Sequence, residues 1–184
     1  NTTGADYAEY IRKLDPDEKM DVGSVVGLFE GGISYKTSRA LRAMVITGRA
    51  GVVGNMPRGG DATGFEKISF MGQVLVLVHG PVQAGYYVVA SGLGDGMGVA
   101  VSAERLELEQ LSSIVGRAWE SKATPEAGRV LIEVGLDRAD VLAAIVQTQT
   151  DQITLQAHQI TLQTDRITRL EKAVAGLESA MGTD

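Results

Sequence analysis

A mainly β protein is expected here: a compact, glycine-rich β domain, barrel or sandwich, with short helices, followed by one long C-terminal helix that forms a parallel coiled coil. Two observations lead to this. All four prolines, all nine aromatics and 21 of the 23 glycines lie in residues 1–140, the composition of short strands joined by tight turns. Residues 141–184 contain neither proline nor aromatic and repeat their aliphatics every seven residues, the pattern of a helix with a seam. The chain therefore divides into 1–140, a β-rich domain, and 141–184, a coiled-coil helix. At 44% hydrophobic and 22% charged residues, neither part is disordered by composition.

Along the first region, Asp6–Leu14 reads as a short helix. Ser24–Phe29 and Ile33–Thr37 are strands joined by Glu30-Gly31-Gly32, a hairpin signal because glycine accepts the positive φ of such turns. Further strands are expected at Ala43–Thr47, Gly51–Gly54, Ile68–His79, Tyr86–Ser91, Val99–Val101, Ile114–Glu120 and Val130–Leu136. Met56–Gly64 reads as a surface turn, Gly92–Gly98 as a hairpin loop and Ala103–Leu111 as a second short helix.

In the second region, Val146, Ile153, Ile160, Ile167, Val174 and Met181 occupy heptad position a, and Leu142, Gln149, Gln156, Gln163, Leu170 and Leu177 position d. Forty residues of such a helix make a rod of about 60 Å, and nothing else in the chain offers a partner of that length. Glutamines at three successive d positions weaken an apolar seam, yet they can pair with their counterparts in other chains and fix register and strand number. Arg166 at g and Glu171 at e would meet across a parallel interface. The periodicity alone leaves dimer and trimer open. Leu155 and Leu162 fall at c, outside the seam, and need another apolar surface.

A net charge of −6 argues against a nucleic-acid grip or a patch for anionic membranes. No apolar run is long enough to cross a bilayer. With no cysteine and two histidines, His79 and His158, a thiolate nucleophile is excluded and a zinc site is not expected. Lys36-Thr37-Ser38 lacks the glycine spacing of a phosphate loop, and Gly92–Gly98 does not open a helix, so no nucleotide motif is present. One constellation carries chemistry. Asp6 and Glu9, one turn apart on a helix, could be merely its N-cap and capping-box partner. Alternatively they are paired carboxylates that divide proton transfer between them. The residues alone do not decide.

Gly4-Ala5-Asp6-Tyr7-Ala8-Glu9, Gly51-Val52-Val53-Gly54-Asn55, Gly72-Gln73-Val74, Gly80–Val89 with Ser91-Gly92, and Ile114–Ser121 together resemble the glutamic-peptidase-like intramolecular chaperone, the self-cleaving C-terminal domain of phage tail spikes and neck appendages. The resemblance covers residues 4–136 and runs into a terminal coil, as such proteins do. It implies a homotrimer that registers three fibre chains, cuts itself from the upstream fibre portion of its own chain, and leaves. It assigns the cut to Asp6 and Glu9, places the scissile bond close upstream, and makes Asn1 a candidate new amino terminus. It implies action in the host cytoplasm during virion assembly. The residues call for no cofactor; ATP is carried over by the resemblance alone. The rival expectation is a permanent trimerisation or adhesive tip of a surface fibre, in which Asp6 and Glu9 only cap a helix.

Overall fold

The computed structural model describes residues 5–135 and 138–181. The chain divides into two compact units, Asn1–Ile145 and Val146–Asp184. The strands are β1 (Asp6–Arg12), β2 (Val25–Phe29), β3 (Gly32–Ser34), β4 (Arg42–Ile46), β5 (Val52–Gly54), β6 (Phe65–His79), β7 (Tyr87–Ala90), β8 (Gly98–Val101), β9 (Ile114–Ala118) and β10 (Gly128–Val134), followed by the helix α1 (Arg138–Met181).

Five strands close a barrel in the order β6, β10, β9, β7, β8 and back to β6. Its wall is made of valine-rich runs, and Val74, Val76, Val78, Val88, Val115, Val130 and Ile132 fill it. The lower half of β6 belongs to a second ring. There β6 pairs with β1 on one side and β4 on the other, and β4 leads through β2 to β3. A single parallel bridge, Lys13 to Ile33, returns β3 to the end of β1. Val26, Ile33, Met44, Ile46 and Ile68 form the core of this ring. Strands β2 and β4 separate the two cores, so Val25, Ala43 and Val45 face one while Val26, Met44 and Ile46 face the other. Burial on both faces explains why these strands read as continuous apolar runs rather than alternating ones.

Turn chemistry is as the glycines indicate. Phe29 pairs with Gly32, leaving Glu30-Gly31 as a two-residue hairpin loop with Gly31 at φ +89°. Between β7 and β8, Asp95 Oδ1 accepts from Ser91 Oγ at 2.6 Å and from the Met97 amide at 2.9 Å, so Asp95 holds the loop together. The Lys122 ammonium gives its three protons to the carbonyls of Gly80, Thr124 and Glu126.

Two helical expectations are corrected. Residues 6–12 are a strand, not the first turns of a helix. Its backbone groups are taken up on one side by β5 and on the other by β6, partners some forty to sixty residues away that no local pattern reveals. Ala103–Leu111 becomes two 3₁₀ turns, Ala103–Arg105 and Leu108–Ser113. Leu106 there packs with Tyr87, Val89, Val141 and Ile145 on the outside of the barrel, so the opening turns of α1 belong to the β unit.

From Val146 onward the helix belongs to the second unit. The a and d side chains that lie within the described residues are exposed, among them Ile153 at 65% and Leu177 at 66%. Gln149, Gln156 and Gln163 are exposed as well. Thr150, Thr154, Thr161 and Thr164 return their hydroxyls to the carbonyl one turn back, so these polar groups are satisfied within the helix. The Met181 side chain and Asn1 lie outside the described residues.

Candidate functional site

Three of the sequence segments that carry the resemblance converge on Asp6. The Gly51 amide donates to the Asp6 carbonyl at 2.9 Å, and the Gln73 amide to the Ala5 carbonyl at 3.1 Å. Asp6 itself stands opposite Gly72, where β6 exchanges β1 for β10 as its neighbour. Gly72 sits at φ +115°, and a Cβ there would lie 2.4 Å from the Ala5 carbonyl oxygen and 2.8 Å from the Asp6 Cα. Only glycine lets the two backbones approach so closely. Gly72→Ala is therefore expected to destabilise the β unit by roughly 3 kcal/mol, read as a fall in Tm of about 10 °C.

Asp6 is 6% exposed. Its Oδ1 accepts the hydroxyl proton of buried Thr47 at 3.1 Å, and Thr47 Oγ1 in turn accepts from the Arg49 amide at 3.3 Å. Its Oδ2 is buried and has no hydrogen-bond partner among the described residues. An unpaired buried carboxylate oxygen is costly, and such exceptions concentrate at functional sites. Asp6 lines a cleft of about 260 Å³ together with Val22, Thr47, Gly48, Arg49, Gln73, Val74, Leu75 and Arg129. Arg129 spends one guanidinium N–H on the Val22 carbonyl at 3.0 Å. Thr47→Val keeps the shape and removes the one hydrogen bond to the Asp6 side chain. The expected result is a retained fold that is less stable by about 1–2 kcal/mol, read as a fall in Tm of a few degrees.

Glu9 is not in this cleft. Along β1, Asp6 and Ala8 are buried while Tyr7 is exposed, and Tyr7 Oη donates to Glu9 Oε1 at 2.6 Å, two residues on. Alternating side chains of a strand point to opposite faces, so Asp6 and Glu9 leave β1 on opposite sides. The irregularity between Tyr7 and Ala8 leaves this intact, because the extra residue, Phe70, is on β6. Gly54 faces the Tyr7 hydroxyl, where a Cβ would come within 2.7 Å, and Asn55 Nδ2 donates to the Tyr10 carbonyl at 2.9 Å, pinning β5 to β1. The hydrogen bond to Glu9 raises the Tyr7 pKa, with burial and the Glu9 charge adding to it. Tyr7 thus remains a hydrogen-bond donor and fixes where the Glu9 side chain lies. One chain does not bring the two carboxylates to one point.

Thr47, Arg49 and Arg129 were not singled out by sequence. They come from separate segments and meet Asp6 only through the sheet. His79 ends β6 in an exposed position, and among the described residues no cluster of acidic and histidine side chains suits a metal ion.

The fold thus defines a class: a mainly β domain with a five-strand barrel and a C-terminal helix. No protein-family profile and no curated protein matches the chain. Among solved structures, it is similar to the C-terminal fragment of bacteriophage phi29 gene product 12, at 17% identity over 70% of this chain and 99% of that one, with a TM-score of 0.48. It is also similar to pre-mature bacteriophage phi29 gene product 12, at 16% identity over 72% of this chain, with a TM-score of 0.50. The match spans 22% of the length of that pre-mature protein. At this identity the second likeness is one of fold.

Proposed function

We propose that this chain is the C-terminal intramolecular chaperone of a phage fibre or tail protein, which trimerises the fibre through α1 and is released by a cut near its own amino-terminal end. The carrying observation is Asp6: a buried carboxyl group with one oxygen unpartnered among the described residues, lining a cleft at the first strand of the β unit. The exposed a and d stripe of α1 supports self-association, since side chains of this kind are ordinarily buried against partner helices. A fold shared with a phage protein whose solved form is described as pre-mature fits a domain that acts before maturation.

In this reading three helices bring three chains together early, offsetting the chain entropy that opposes a long β fibre. Asp6 takes a proton from water as its oxygen attacks the scissile carbonyl carbon. The C–N bond then breaks, and the departing amine receives a proton from a carboxyl group. Because Glu9 leaves β1 on the other side from Asp6, the Glu9 that serves a given Asp6 belongs to a neighbouring copy, and the site is complete only in the assembly. Cutting makes assembly irreversible, so the mature fibre persists kinetically.

The test is a chain extended upstream by some tens of residues, run on a denaturing gel and followed by mass spectrometry. Two fragments with one defined junction support the proposal. A single uncut band from a folded trimer supports the second reading, a permanent trimerisation or adhesive tip. That reading is favoured by one observation, the divergence of Asp6 and Glu9 within a chain.

A further inference from the structure

The cleft beside Asp6 holds more than a carboxylate requires. Its lining carries one negative side chain, Asp6, and two positive ones, Arg49 and Arg129. Neither guanidinium is hydrogen-bonded to Asp6, whose one side-chain partner among the described residues is Thr47. Opposite charges that line one cleft without pairing leave room for a group that bridges them. That group must donate a proton to Asp6 Oδ2 and accept protons from the arginines. A water would fit the first demand, but at about 30 Å³ it fills little of the space, which is about 260 Å³.

The geometry points to a binding site for the carboxyl-terminal end of a peptide chain. The last amide N–H would go to Asp6 Oδ2, the free α-carboxylate to Arg49 and Arg129, and a small apolar side chain to Val22 and Leu75. The charge sum selects the free carboxylate over a mid-chain peptide, because one negative and two positive lining groups leave a single positive charge to be neutralised. Arginine also suits a carboxylate, whose two oxygens match its fork of donors. The site is polar where a chain end is polar and apolar where its side chain lies.

This inference rests on the proposed self-cleavage, which creates such a chain end on the upstream fragment. The cleft would hold that new end after the cut and delay the parting of fibre and chaperone.

The experiment needs no cleavage. The 184-residue chain, labelled with nitrogen-15, is titrated with N-acetyl-dialanine bearing a free carboxylate, with the same peptide amidated, and with acetate. Saturable shifts are expected at the amides of Thr47, Gly48, Arg49 and Gln73. Amidation should weaken binding by at least about tenfold, and Arg49→Gln and Arg129→Gln by about fivefold or more each, the scale of lost charge-assisted hydrogen bonds. Absence of shifts at these amides overturns the inference. So do equal shifts from the amidated peptide, or shifts from acetate alone at the same concentration, which mark a simple anion site. An extended chain that cuts while the peptide fails to bind refutes this site and spares the proposed function. Binding in a protein whose extended form never cuts does the reverse.

Discussion

Asp6→Asn, placed in a chain extended upstream, is expected to leave one uncut band where the proposed self-cleavage gives two from the unsubstituted chain. The substitution is nearly isosteric, and an amide oxygen still accepts from Thr47, which holds Oδ1 at 3.1 Å. The fold is therefore expected to survive, verified by an unchanged Tm within about 2 °C. What is lost is the group that can take a proton, a contribution of about 10²–10⁴ in rate. Glu9→Gln leaves one band as well, through loss of the proton donor. The two faces of β1 add a sharper result. Co-expressed Asp6→Asn and Glu9→Gln chains recover part of the cutting in mixed assemblies, because each supplies what its neighbour lacks. If cutting recovers nowhere although mixed assemblies form, Glu9 does not act across copies.

The second large effect lies in the helix. If the proposed three-chain assembly forms, Ile153→Asp, Ile160→Asp and Ile167→Asp together are expected to reduce it to the mass of a single chain, as read by light scattering. Each isoleucine that passes from more than half exposed to buried in a seam contributes on the order of 1–2 kcal/mol, and carboxylates in the same layers repel one another. The β unit keeps its own transition, since its cores lie within residues up to Ile145. A wild-type chain that scatters as a monomer in dilute buffer overturns the proposed assembly outright.

Much of the β unit was legible because its strands announce themselves twice, by apolar runs and by the glycines between them. Gly31 and the glycines at 92, 94 and 96 adopt the positive φ that the turns require. The start of β6 was less visible, since Phe65-Glu66-Lys67 carries charge and the strand was expected from Ile68. The segment Asp6–Arg12 was misread for a deeper reason. Its Asp and Glu three apart satisfy a helix cap, while its tyrosines and isoleucine suit a strand equally well, and the partners that decide are Val52 and Met71. That error also placed Asp6 and Glu9 on one face. The cleft was illegible because no local signal links Thr47, Arg49 and Arg129 to Asp6. Gly72 was quoted only for the company it keeps in the resemblance, and its reason is now steric.

Both rings are built on β6, fifteen residues long. One ring pairs with residues 65–72 of that strand and the other with residues 72–79, so the two meet at Gly72 and share one continuous backbone. A pull on the Asp6 end reaches the common strand directly, through the pairing of β1 with β6.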